Sequence, residues 1–169
     1  MHRSRSHIHR PRRQAGLASP PALRDESGAA IVEFALVLPL LCLIIMIILD
    51  FGRAFNYWID TTHLASEGAR LAAVDKVPTG STSLQAYIRD RADTAELRDG
   101  GTRWISGPLR VCVNPGPGTA VGDPVEVTVS TDYEWLPGLG LGTTTIQSSA
   151  TMRREALATN VTSGGPGCT

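Results

Sequence analysis

The sequence has none of the short motifs on which common catalytic chemistry is built. It contains no phosphate-binding loop, no H-E-x-x-H pair and no nucleophile elbow. The run Gly138-Leu139-Gly140-Leu141-Gly142 has the wrong glycine spacing for a dinucleotide site and reads as a strand connection. Cysteines are scarce, and Cys42, Cys112 and Cys168 lie too far apart for a metal cage. His2, His7 and His9 sit among arginines, and His63 has no cysteine or carboxylate at ligand spacing. These absences predict a protein that is not an enzyme and that uses no metal and no cofactor. Asp90, Asp93, Glu96 and Asp99 read as the solvated face of a helix, and Asn160-Val161-Thr162 as a chance sequon.

The net charge is +0, yet the charge is unevenly placed. Residues 1–27 hold Arg3, Arg5, Arg10, Arg12, Arg13 and Arg24 against Asp25 and Glu26, a net +4, so the remainder carries −4. Between these parts lies GAAIVEFALVLPLLCLIIMIIL, from Gly28 to Leu49, in which Glu33 is the one charge. About 20 helical residues rising 1.5 Å each cross a hydrocarbon core of about 30 Å. A small soluble domain has no interior for so uniformly apolar a cylinder. A signal peptide would have a shorter apolar region and a small-x-small cleavage site after it, whereas Asp50, Phe51 and Arg53 follow here. The pattern predicts a single-pass membrane helix with a cytoplasmic N-terminus, because arginines crowd that side. Basic residues flanking an apolar run point to the lipid bilayer as partner and away from nucleic acid. Phe51, Phe55, Tyr57 and Trp58 read as an aromatic belt at the interface, and Pro39 as a tolerated kink.

Beyond the membrane the helical period continues. Phe51, Phe55, Trp58, Thr62, Ala65, Ala69 and Ala72 recur at spacings of three and four, which predicts one packed face on a helix reaching Val74. Arg53, Asp60 and Glu67 repeat on another face, with Glu67 and Arg70 spaced to pair. Val77-Pro78-Thr79-Gly80 breaks the helix, and Ser83 is placed to cap a second one of about a dozen residues. Asp99-Gly100-Gly101 ends it. Leu109–Val113, the strictly alternating Val125–Tyr133 and Thr143–Met152 then read as strands of an antiparallel meander, separated by Gly- and Pro-rich linkers. A helix laid over such a sheet gives an α+β head.

Three strings carry a resemblance. They are Gly28–Phe34 as G-x-x-x-x-E-F, Asp50–Arg53 as D-F-G-R, and Ala65–Ala73 as A-x-E-G-A-R-x-A-A, with Met152–Glu155 as a closing M-x-x-E. Together they resemble the TadE-like family of the tight-adherence, Flp-type pilus system. Gly28 and Glu33 also resemble the type IV prepilin processing site. The resemblance implies a cut between Gly28 and Ala29, after which Glu33 would pair with the Ala29 ammonium of a neighbouring subunit. It marks Phe34, Asp50, Phe51, Gly52, Arg53, Glu67, Gly68 and Arg70 as family positions. It implies a minor pilin or pseudopilin-like subunit working in pilus assembly or adhesion. The implied partners are other pilin-like subunits, a prepilin peptidase and an inner-membrane assembly platform. The leader here is longer than the short ones of the family.

The expected organisation is therefore a basic cytoplasmic leader (1–28), a transmembrane helix (29–50) and its extension outside the membrane (51–76). An extracytoplasmic α+β head (77–156) and a flexible C-terminal tail (157–169) follow. The expected location is the bacterial cytoplasmic membrane, with the head extracytoplasmic or at the pilus surface. Cys112 and Cys168 would then lie in an oxidising compartment, and a bridge between them would pin the tail to the sheet. The competing expectation is a permanently anchored envelope protein whose head binds a ligand, with Glu33 incidental.

Overall fold

The computed structural model describes residues 26–161, apart from residues 117 and 139; side chains are described from Gly28. Residues 1–25 of the expected leader and Cys168 lie outside the described residues, whereas Glu26–Gly28, placed in the leader by sequence, are helical. The described residues fall into two compact units, those up to Leu40 and those from Leu41 onward.

Helix α1 runs Glu26–Ala73 and contains Pro39. In its first part the apolar side chains find no cover from the chain: Ile31, Phe34, Leu36, Leu40 and, further on, Ile44, Ile48 and Leu49 are all exposed. The helix is long and apolar enough to cross a membrane. It ends at Ala73, one residue before the expected Val74. Asp75 follows with φ +50, a left-handed conformation that Asp tolerates better than most residues. The Lys76 N–H reaches back to the Leu71 carbonyl at 3.0 Å. Glu155 and Ala156 donate their N–H groups to the Ala73 carbonyl at 2.8 and 3.2 Å, satisfying an acceptor left over at the helix end.

The expected second helix is two short ones, α2 (Leu84–Asp90) and α3 (Ala95–Asp99). Ser83 caps α2 by accepting the Ala86 N–H, and Thr94 caps α3 by accepting the Leu97 N–H. The break has a cause on α1: the Asp60 carboxylate accepts the Asp93 N–H at 3.0 Å, fixing an extended turn between the two helices.

Strands β1 (Arg110–Asn114), β2 (Pro124–Glu134) and β3 (Thr143–Arg153) form an antiparallel sheet in the order β1-β2-β3. Their bounds fall within a residue of those read from the period-two pattern. Val113 pairs with Val127 and Val127 with Ala150 across the sheet. Val111, Val113, Val125, Val127 and Val129 are buried with Leu64, Ala65, Ala69, Ala72, Ile88 and Leu97 in one core. The long apolar helix followed by this small sheet makes the chain α+β.

β3 runs alongside α1 in the same direction. Thr145–Gln147 line a cavity with Phe51, Ala54, Phe55 and Trp58, Ser148 bonds to Thr61 and Thr62, and Met152 and Arg153 line a groove with Glu67–Lys76. Residues 159–161, placed in the tail by sequence, are held by Asp75: its carboxylate accepts the N–H groups of Thr159, Asn160 and Val161. Residues 162–169 lie outside the described residues.

Candidate functional site: the apolar helix and the head fastened to it

The N-terminal edge of α1 carries the residues implied for processing and assembly. Gly28, Ala29, Glu33 and Phe34 all lie within the helix. Ala29 and Glu33 are exposed, and Phe34 is 62% exposed. The Glu33 carboxylate thus stands on an open apolar surface.

Further along, the helical face that the head covers is displaced from the expected one. Phe51, Phe55 and Trp58 are exposed, and the buried positions are Asp50, Ala54, Tyr57, Asp60, Thr61, Leu64, Ala65, Ala69 and Ala72. Distally the expectation and the structure coincide at Ala65, Ala69 and Ala72. Proximally they part, because two sets of residues share the helical period, and the covered set is the one whose Asp50, Tyr57, Asp60 and Thr61 find hydrogen-bond partners in the head. Phe55 and Trp58 pack on each other with ring centroids 5.6 Å apart.

Gly68 gives the closest approach. A Cβ there would lie 2.9 Å from Val127 Cγ1 and 3.5 Å from Ile88 Cγ1, so the sheet and α2 settle against bare backbone. Gly52 has the opposite surroundings: it is exposed, with nothing within 4 Å of the space a Cβ would take.

Asp50 is the latch at the other end of the packed face. Its carboxylate is buried and accepts the Tyr133 hydroxyl at 2.7 Å and the Leu136 N–H at 3.0 Å. Burial and the hydrogen bond to this carboxylate both push the Tyr133 hydroxyl well above the usual tyrosine pKa. Leu136 has φ +40, a strained conformation for a residue with a side chain, and the bond to Asp50 holds it there. The Arg53 guanidinium lies over the Trp104 ring at 3.9 Å from its centroid. Met46, Leu49, Asp50, Arg53, Trp104, Leu136 and Pro137 line a cavity of about 240 Å³.

Several polar residues have partners other than those expected. Glu96, read as part of a solvated face, accepts the hydroxyl of Tyr57, and Tyr57 is buried rather than part of an aromatic belt. Glu67 turns to α2, accepting from Tyr87 at 3.4 Å and standing 3.8 Å from Arg91, while Arg70 is exposed. Burial raises the pKa of Asp75, but the converging donors of Thr159, Val161 and Asn160 outweigh it and hold the carboxyl well below the usual range. Cys112 is disulfide-bonded and Cys42 is a free, exposed thiol. Arg154 is 2% exposed, and among the described residues its guanidinium meets no hydrogen-bond partner. Among the described residues no group of three or more His, Cys, Asp or Glu could hold a metal ion.

Sequence reading missed the roles of Tyr133, Asp75 and Ser148. An aspartate two residues beyond a helix end was the one local signal, because Asp favours a left-handed position. The other two act across 83 and 87 residues of chain, and no local pattern carries that.

No curated protein and no solved structure matches the chain. A family model described as TadE-like protein matches residues 28–70, from the glycine of the N-terminal edge to the end of the glycine–alanine face. Over those residues the chain is similar to the TadE-like family, and its apolar helix fits a membrane-anchored protein.

Proposed function

We propose that this protein is a membrane-anchored, minor pilin or pseudopilin-like subunit of a tight-adherence pilus system. In this reading the N-terminus is cytoplasmic and the head is extracytoplasmic. A prepilin peptidase cuts between Gly28 and Ala29, and the new Ala29 ammonium pairs with Glu33 of a neighbouring subunit during assembly. The observation that supports it is that the TadE-like segment opens on an exposed apolar stretch, residues 28–49, whose one charge is the carboxylate of Glu33. A carboxylate in an apolar surround is costly unless an opposite charge meets it, and the Ala29 ammonium of a neighbouring processed subunit supplies one. The chain works as an assembly component rather than as an enzyme, with other pilin-like subunits and the assembly platform as partners.

Mass spectrometry of the protein recovered from membranes tests the processing step. An Ala29 N-terminus is expected; a retained leader would instead favour a permanent anchor with a ligand-binding head. Glu33→Gln tests the ion pair: membrane insertion should be unchanged and incorporation into the assembly should fall at least tenfold. Normal incorporation would remove the pairing from the mechanism.

A further inference from the structure

We infer that the tip of the β2–β3 hairpin, at residues 136–138 and 140–142, is a second lipid-contacting element that rests in the interface of the bilayer beside the exit of α1. The inference rests on the reading that α1 spans the membrane.

Position comes first. The tip is held to the end of the apolar run by the Leu136 N–H bond to Asp50, and Leu136 and Pro137 share a cavity with Met46 and Leu49. Strand geometry places the rest of the tip. Ser148 stands beside Thr61 and Thr62. Six strand residues back to Gly142 cover about 20 Å at about 3.3 Å each, the length of about 13 helical residues at 1.5 Å. That brings Gly142 level with Leu49, where the uncharged stretch of α1 ends.

Composition agrees with position. No ionisable residue occurs between Glu134 and Arg153, and the tip reads LPGLGLG. Leu141 is 62% exposed. Trp104 and Trp135 are half-buried close by, and Arg53 stacks on Trp104. Amphipathic rings and a stacked guanidinium suit the headgroup level, where one end is apolar and the other wet. The opposite end of the head differs: Glu67, Arg70, Lys76, Arg153 and Glu155 line a groove there. The hairpin tip is thus free of charge, whereas the opposite end of the head is lined by charged side chains. Irregular backbone exposed to lipid does not enter hydrocarbon, so headgroup depth is the limit for a glycine-rich tip.

A bilayer-depth measurement on the full chain tests this. An environment-sensitive NBD fluorophore is attached to the native Cys42, or in a Cys42→Ala background to Leu141→Cys or Val121→Cys. Val121 is also exposed and apolar, but lies in the β1–β2 connection at the charged end. The labelled proteins are reconstituted in phosphatidylcholine liposomes containing doxyl-labelled lipid. The Cys42 and Leu141→Cys probes should both shift to the blue and lose at least half their emission. A shallow doxyl group should quench Leu141→Cys more than a deep one, with the reverse at Cys42, and Val121→Cys should stay water-like. A quenched Cys42 probe with a water-like Leu141→Cys probe overturns the inference and leaves the anchor standing. An unquenched Cys42 probe removes both. A blue shift at Leu141→Cys without lipid quenching would mean burial against protein, such as a second copy, and also overturns it. Quenching at both Leu141→Cys and Val121→Cys would mean that the whole head lies on the bilayer, overturning a contact confined to the tip.

Discussion

At the scale of the residue, two glycines on one helix separate packing from assembly. Gly68→Ala gains helix propensity of about 1 kcal/mol, but its methyl meets a stiff, buried Val127. Overpacking of that kind costs roughly 1–3 kcal/mol, so the net effect should be destabilising, and Gly68→Val should be worse. Gly52→Ala meets nothing, so it should stabilise the monomer by up to about 1 kcal/mol. Thermal unfolding of the full chain in detergent checks both; loss of assembly in a stabilised Gly52→Ala protein would place Gly52 at a contact between subunits. Asp75 belongs to the same scale. Its pKa is lowered in the folded chain, so the stability it contributes is present above the unfolded value of about 3.9 and is lost as pH falls below it. Asp75→Ala should cost roughly 2 kcal/mol through the unpaired N–H groups of residues 159–161 and should flatten the acid limb of the stability profile. An unchanged acid limb in that variant would show that Asp75 is not the group responsible. Arg154 makes the reverse case: a buried guanidinium without a hydrogen bond costs desolvation and gains little, so Arg154→Met should leave the melting temperature unchanged or raise it.

At the scale of the element, the latch between α1 and the hairpin governs how the head is held. Tyr133→Phe removes the hydroxyl from Asp50 but leaves the ring contacts to Tyr57 and Trp135 in place. The loss should be about 1–3 kcal/mol, and amide exchange should rise first at Leu136 and the hairpin tip. Because the Tyr133 pKa is raised on folding, its contribution is intact below about pH 10 and is lost as pH rises beyond that. Tyr133→Phe should therefore lack that alkaline loss. Much of this element was legible in the chain. Alternation from Val125 to Tyr133 announced β2, and Ser83 announced the start of α2. The division between α2 and α3 was not legible, because its cause is the Asp60 carboxylate on another helix.

At the scale of the whole molecule, the expected cysteine bridge ties compartment to topology. Non-reducing peptide mapping should recover Cys112 joined to Cys168 in protein from the oxidising side of the membrane. Two free thiols there would remove the bridge and weaken the case for an extracytoplasmic head. The sequence by itself determined the membrane helix, its family resemblance and the α+β class, because these depend on composition and on periods of 3.6 and 2 along a continuous chain. Glu33, Gly28 and the D-F-G-R string were visible for the same reason. Tertiary structure alone decided which face of α1 the head covers, since Phe51, Phe55 and Trp58 share their period with Ala54, Tyr57 and Thr61. It alone gave Asp50, Asp60 and Asp75 their partners, and it alone set the hairpin tip beside Leu49. Each of these depends on which distant backbone comes close enough to donate to a buried carboxylate, and spacing along the chain does not carry that distance.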